Sequence, residues 1–125
     1  MEKKTNKLDA SVLADKIAKI LAERQNTNIL TIDVVEKSPV TDFFVVSSAR
    51  SVSQVKATLE HLEETLEEEG IFSTRKDGEK EGRWIVVDYA SVIVHIFHEE
   101  QRDFYKFERL WTEPDESNVK HYMGV

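Results

Sequence analysis

The sequence contains no cysteine and only four glycines in 125 residues. Without cysteine there is neither a disulfide framework nor a thiolate metal site, which fits a reducing compartment. The glycines, Gly70, Gly78, Gly82 and Gly124, are too scattered for a phosphate-binding loop or a dinucleotide fingerprint. No apolar run is long enough to span a bilayer, and Met1–Lys7 is polar with no apolar signal core. A soluble, cytoplasmic protein is therefore expected. Basic residues are also in deficit, with 17 Lys and Arg against 24 Asp and Glu and a net charge of −7. Nucleic-acid backbones are bound mainly by neutralising phosphates, so the chain is a poor generic nucleic-acid binder. Its acidity favours a basic protein partner through faster encounter, besides keeping the protein soluble.

What is present suits one compact domain, since the length matches a single unit and the 40% hydrophobic content is enough for a core. No internal repeat or low-complexity linker divides the chain. A helix is expected from Asp9 or Ser11, with Val12, Leu13, Ile17, Ile20 and Leu21 on its apolar face. Asn26 and Asn28 interrupt it, and Ile29–Val35 alternates as a half-buried strand, with Leu30, Ile32 and Val34 on one side. Glu36–Pro39 is a turn before a more buried strand at Phe43–Val46. Ser51 followed by Gln54 matches a capping box and announces the longest helix, which runs through Val52, Val55, Leu59, Leu62 and Leu66 until Gly70 stops it. Its other side carries Glu60, Glu63, Glu64, Glu67 and Glu68, which read as a solvated face.

Ile71-Phe72 is expected to begin a short strand, ahead of a polar loop from Lys76 to Gly82. Trp84–Tyr89 and Val92–Phe97 are the two best strands, and with only Ala90-Ser91 between them they should form a tight antiparallel hairpin. Glu99–Trp111 reads as a last helix, with Phe104, Phe107, Leu110 and Trp111 toward the core, and Glu113–Val125 should fray. Two hairpins joined by one helical crossover make an α/β domain, a mixed sheet with helices over its faces.

Reactive constellations are scarce. Ser47 and Ser48 end a strand without a glycine elbow and read as sheet-edge hydroxyls. His95 and His98 flank a strand end, where convergence on one metal ion is disfavoured, so His95 reads as structural or partner-contacting. Asp42 and Asp88 could share a magnesium ion with His95 in a nucleotide-transferring enzyme. Such enzymes hold two acids one residue apart after a glycine-serine pair, which this chain lacks, and both aspartates also suit turn and capping roles. Neither a catalytic residue nor a cofactor is assigned. Trp84 and Tyr89 at strand ends are either core lids or anchors of a protein contact, for which these residue types are the commonest hot spots. Asp88 supplies a carboxylate for a basic partner.

The segments Thr41–Val46 and Trp84–Phe97, with Glu99–Tyr105 and Leu110-Trp111 after them, resemble the ribosomal silencing factor, or Iojap, family. The resemblance spans residues 8–111 as one domain, leaving 1–7 and 112–125 as poorly ordered tails. It implies a nucleotidyltransferase-like fold without the catalytic motif and a translation repressor rather than an enzyme. It also implies binding to the large ribosomal subunit through ribosomal protein number fourteen, blocking the small subunit, and a possible homodimer when free. The family contact carries over to Trp84, Ile85, Asp88 and Tyr89. One departure is Ala90-Ser91, where the family often has a glycine and an acid.

Overall fold

A computed structural model describes residues 7–122, with side chains described for 9–102 and 106–122. Helix α1 spans Lys7–Glu23, and strands β1 (Thr27–Asp33) and β2 (Phe43–Ala49) follow it. Helix α2 (Val52–Glu67) leads to strands β3 (Arg75–Asp77), β4 (Trp84–Asp88) and β5 (Val92–His98). Helix α3 (Glu99–Tyr105), a 3₁₀ turn at Phe107–Leu110 and strand β6 (Val119–Tyr122) complete the chain. The strands form one sheet in the order β3-β4-β5-β2-β1-β6, with β2 and β5 parallel and every other neighbour antiparallel. This is the mixed α/β sheet expected from the pattern.

Central position explains the composition of β2. All seven of its residues are buried, because helices or turns cover both faces and strands flank both edges. The first face packs under α1 and α2, where Ile17, Leu21, Val45, Leu62, Leu66, Ile85 and Val94 are completely or almost completely enclosed. Small residues Ala10, Ala14 and Ala18 share the buried side of α1 with Ile17 and Leu21, allowing the helix to lie close to the sheet. That places Val12 off the contact face, 64% exposed, contrary to the apolar stripe expected from spacing. The second face holds Leu30, Ile32, Val34, Phe44, Val46 and Phe97, with Trp84, Ile93, Phe107 and Trp111 packed against them.

The Ser51 cap forms as its sequence suggests. Its hydroxyl accepts from the Gln54 amide at 3.1 Å, and the Gln54 side chain reaches back to accept from the Arg50 amide at 2.9 Å. The other end of α2 explains why Ile71-Phe72 is not a strand. The Ile71 amide donates to Leu66 O at 2.9 Å, so Ile71 folds back on the first core as the apolar contact that follows a helix terminus. Phe72 is left 64% exposed. Strand pairing starts only after Thr74 donates to Asp88 O.

The last helix is shorter than expected. At Lys106 the backbone turns left-handed, φ 53°, and its amide donates to Arg102 O, closing α3. The break redirects the chain so that Phe107 and Trp111 reach the second face while Leu110 points outward, 74% exposed. Phe104, also expected toward the core, lies outside the described side chains. Beyond Trp111 the chain does not simply fray, because β6 pairs with β1, Val119 opposite Ile32. The Tyr122 hydroxyl then donates to Asp15 on α1 at 2.7 Å.

Candidate protein-docking face

Strand β4 decides which of the expected contact residues can meet a partner. Successive side chains in a strand point to opposite faces, and burial along β4 alternates accordingly: Trp84, Val86 and Asp88 are half-buried while Ile85 and Val87 are enclosed. Ile85 is 0% exposed and Tyr89 7%, both in the core beneath α1 and α2. Burial, with Glu63 and Glu67 nearby, pushes the Tyr89 hydroxyl well above its usual range, so it stays a neutral core phenol. The four residues Trp84, Ile85, Asp88 and Tyr89 therefore do not form one surface. Trp84 and Asp88 share the second face, and Ile85 and Tyr89 lie under the other.

Register completes the exposed strip. Trp84 stands opposite Phe97, Val86 opposite His95 and Asp88 opposite Ile93, while on the outer side Arg75 pairs with Asp88 and Asp77 with Val86. Partly buried Trp84, Val86 and Ile93 form an apolar centre, with Arg75, Asp77 and Asp88 as a charged rim. Apolar centres with polar rims are the usual anatomy of protein interfaces. Val86 and Ile93 were not singled out from the sequence, although strict alternation from Trp84 already places Val86 on its face.

Trp84 is held by its neighbours. Its ring stacks on Phe97 with centroids 4.9 Å apart and planes 25° apart. Its indole Nε1–H donates to His95 Nδ1 at 3.1 Å. His95 is 5% exposed, packed 4.1 Å from the Phe107 ring and edge-on to Phe44 at 5.2 Å. Burial lowers its pKa to about 3, so the ring is neutral at physiological pH. Because Nδ1 accepts, the proton sits on Nε2, which is buried with no acceptor among the described residues.

The other polar residues singled out from the sequence have structural employment. Asp88 Oδ1 accepts from the Ala90 amide at 2.7 Å, fixing the turn into β5. Asp42 is 1% exposed, and its backbone ties β1 to the turn, accepting from Val34 N at 2.8 Å and donating to Ser91 O at 3.1 Å. His98 caps α3 by accepting from Glu100 N. Ser47 and Ser48 are enclosed within central β2 rather than at a sheet edge. Ser47 Oγ donates to Asn26 Oδ1 at 3.0 Å, and Ser48 Oγ accepts from Arg102 Nη1 at 3.0 Å. Arg102, which the sequence did not single out, is a buried cross-brace, since its guanidinium also bonds Asn28 O and Glu108. Among the described residues, no three His, Asp or Glu side chains gather as a metal site, so Asp42, Asp88 and His95 do not meet around one ion. A cleft of about 710 Å³ lies elsewhere, between Arg24 and the start of α2 at Arg50 and Ser51. No described helix is long and apolar enough to cross a membrane.

A six-stranded mixed sheet with this chain order defines a known class. A crystal structure of a protein from Chromobacterium violaceum superposes with a TM-score of 0.76 and 26% identity, covering 90% of this chain and 93% of that one. The profile of the family described as Ribosomal silencing factor during starvation matches residues 7–123, and the chain belongs to that family. The match includes β6, so the resemblance extends past the expected limit at Trp111. Among relatives, the ribosomal silencing factor of Bacillus subtilis is 34% identical over 89 residues, 71% of this chain and 75% of that protein. The mouse protein called Mitochondrial assembly of ribosomal large subunit protein 1 is 27% identical over 101 residues, 78% of this chain and 44% of that protein. These names describe regulation and assembly at the ribosome rather than catalysis.

Proposed function

We propose that this chain represses translation in the cytoplasm by docking on the large ribosomal subunit, through ribosomal protein number fourteen, and sterically blocking the small subunit. The observation that carries the reading is the partly exposed strip of Trp84, Val86 and Ile93 with Asp88 at its rim. An aromatic anchor at the centre of an apolar patch is the usual energetic focus of a protein contact. Family membership supports the ribosome as the place of action, and the mouse relative's name supports the large subunit. The net charge of −7 suits a basic ribosomal protein surface and disfavours indiscriminate RNA binding. Ile85 and Tyr89 act beneath the surface, holding β4 in place.

Cosedimentation with purified large subunits tests the proposal. Trp84→Ala should weaken binding by about 2 kcal/mol or more, as hot-spot truncations do. Asp88→Asn, which keeps an acceptor for the Ala90 amide, should weaken it less and reduce its salt dependence. Wild-type protein should also inhibit joining of small to large subunits, and Trp84→Ala should not. Undiminished binding by both variants would remove this face from the contact. In the free state a second copy is proposed to pair with the chain, and light scattering with and without large subunits measures whether that pairing competes with docking.

A further inference from the structure

We infer that His95 is a positioning residue for docking: by accepting the Trp84 indole proton it fixes the ring in the orientation the partner meets. The inference rests on the docking face proposed above and assigns a role to a residue that is itself only 5% exposed.

Trp84 begins β4, immediately after the loop that contains Gly78 and Gly82, and is only half-buried. An indole at such a place keeps several rotamers unless something selects one. Stacking on Phe97 restrains its plane, but a stacked ring can still slide or flip. The Nε1–H bond to His95 Nδ1 removes that freedom by fixing which edge faces inward. Freezing an anchor before the encounter avoids its ordering cost at binding, which is how preorganisation raises affinity.

Packing alone does not call for histidine at position 95. Its neighbours are Phe44, Phe97 and Phe107, and Val46 and Val86 stand beside it in register. An apolar ring would fill this setting without leaving Nε2–H buried and unpaired among the described residues, a costly condition. What histidine alone adds is the acceptor at Nδ1. The position therefore gives up some stability, and among the described residues the one hydrogen bond gained by the ring is the one that orients Trp84.

Two substitutions separate positioning from packing. His95→Phe keeps a ring of similar size and loses the acceptor. His95→Asn loses the ring but places an oxygen near the former Nδ1. The melting temperature should be at least as high as wild type in His95→Phe and lower in His95→Asn. Affinity of the full chain for purified large subunits should follow the opposite order. We expect about a tenfold loss in His95→Phe, the usual size for one hydrogen bond, and no more than about a threefold loss in His95→Asn. The Trp84 indole N–H resonance, identified by its absence in Trp84→Ala, should move on His95→Phe and stay nearer its wild-type position in His95→Asn. Wild-type affinity in His95→Phe, or affinities that follow melting temperature so that His95→Asn binds worst, would overturn the role of His95 alone. Wild-type affinity in Trp84→Ala would overturn the docking face itself.

Discussion

Trp84 and Ile85 are adjacent in the chain yet belong to different parts of the molecule. The pleat of β4 turns Ile85 into a fully enclosed site among α1, α2 and the sheet, while Trp84 stays only partly buried. Ile85→Ala should therefore cost about 2–5 kcal/mol of stability through a cavity that cannot fully collapse, read as a lower urea midpoint. Any loss of ribosome binding by that variant should vanish once it is assayed well below its melting temperature. For Trp84→Ala the balance is reversed, with the larger effect on binding. The residue types of the proposed contact were legible in the sequence, since a tryptophan and an aspartate at strand ends stand out by composition. Their grouping was not. Alternation at period two separates Trp84 and Asp88 from Ile85 and Tyr89, and only knowledge of what covers each face says which pair reaches the surface.

The β4–β5 hairpin formed where the two-residue connection Ala90-Ser91 placed it. Its tightness has a local cost: Ala90 adopts φ 71°, a left-handed conformation that its Cβ disfavours. Ala90→Gly should relieve this and raise stability by up to about 1 kcal/mol, partly offset by the greater entropy of glycine in the unfolded chain. A thermal melt measures the gain, and binding should be unchanged because Ala90 only connects the strands. Helix α2 was equally legible, since its cap and its apolar spacing both sit in local sequence. Three other elements were not. Ile71-Phe72 looked like a strand because both residues are apolar, but the closing turn of α2 takes Ile71 into the core. The last helix looked continuous because apolar residues recur at helical spacing, yet a break at Lys106 brings Phe107 and Trp111 to the sheet. Strand β6 has few apolar residues, and it exists because β1 offers an unpaired edge and Asp15 a partner for Tyr122.

At the scale of the whole molecule, stability should fall in acid for two identifiable reasons. His95 titrates near 6.5 when unfolded and at about 3 when folded, because burial disfavours its charge. Between those values the unfolded chain binds more protons, so stability declines as pH falls from about 6.5 to about 3, at up to about 1.4 kcal/mol per pH unit. Asp15 is lowered as well, for a different reason: hydrogen bonds from Tyr122 and Lys19, and further Lys120, hold its carboxyl at about 2. Its contribution is complete above about pH 4 and is lost as pH drops through about 2. Thermal denaturation from pH 8 to pH 3 should show the first arm in wild type and a much flatter curve in His95→Phe. An unchanged acid slope in that variant would mean that other groups dominate the response.

Local sequence by itself determined the elements whose causes are local: the capped and periodic α2, the alternating β1, the apolar β2, the tight hairpin and the family to which they add up. Tertiary structure alone decided the sheet order, the break at Lys106, the pairing of β6 and the partition of β4 into a buried side and an available one. The reason is physical. Caps, turns and periodicity depend on residues a few positions apart, whereas exposure depends on which distant segment lies overhead. Trp84 keeps part of its ring at the surface because the covering 3₁₀ turn brings Phe107 to its inner side without closing over it.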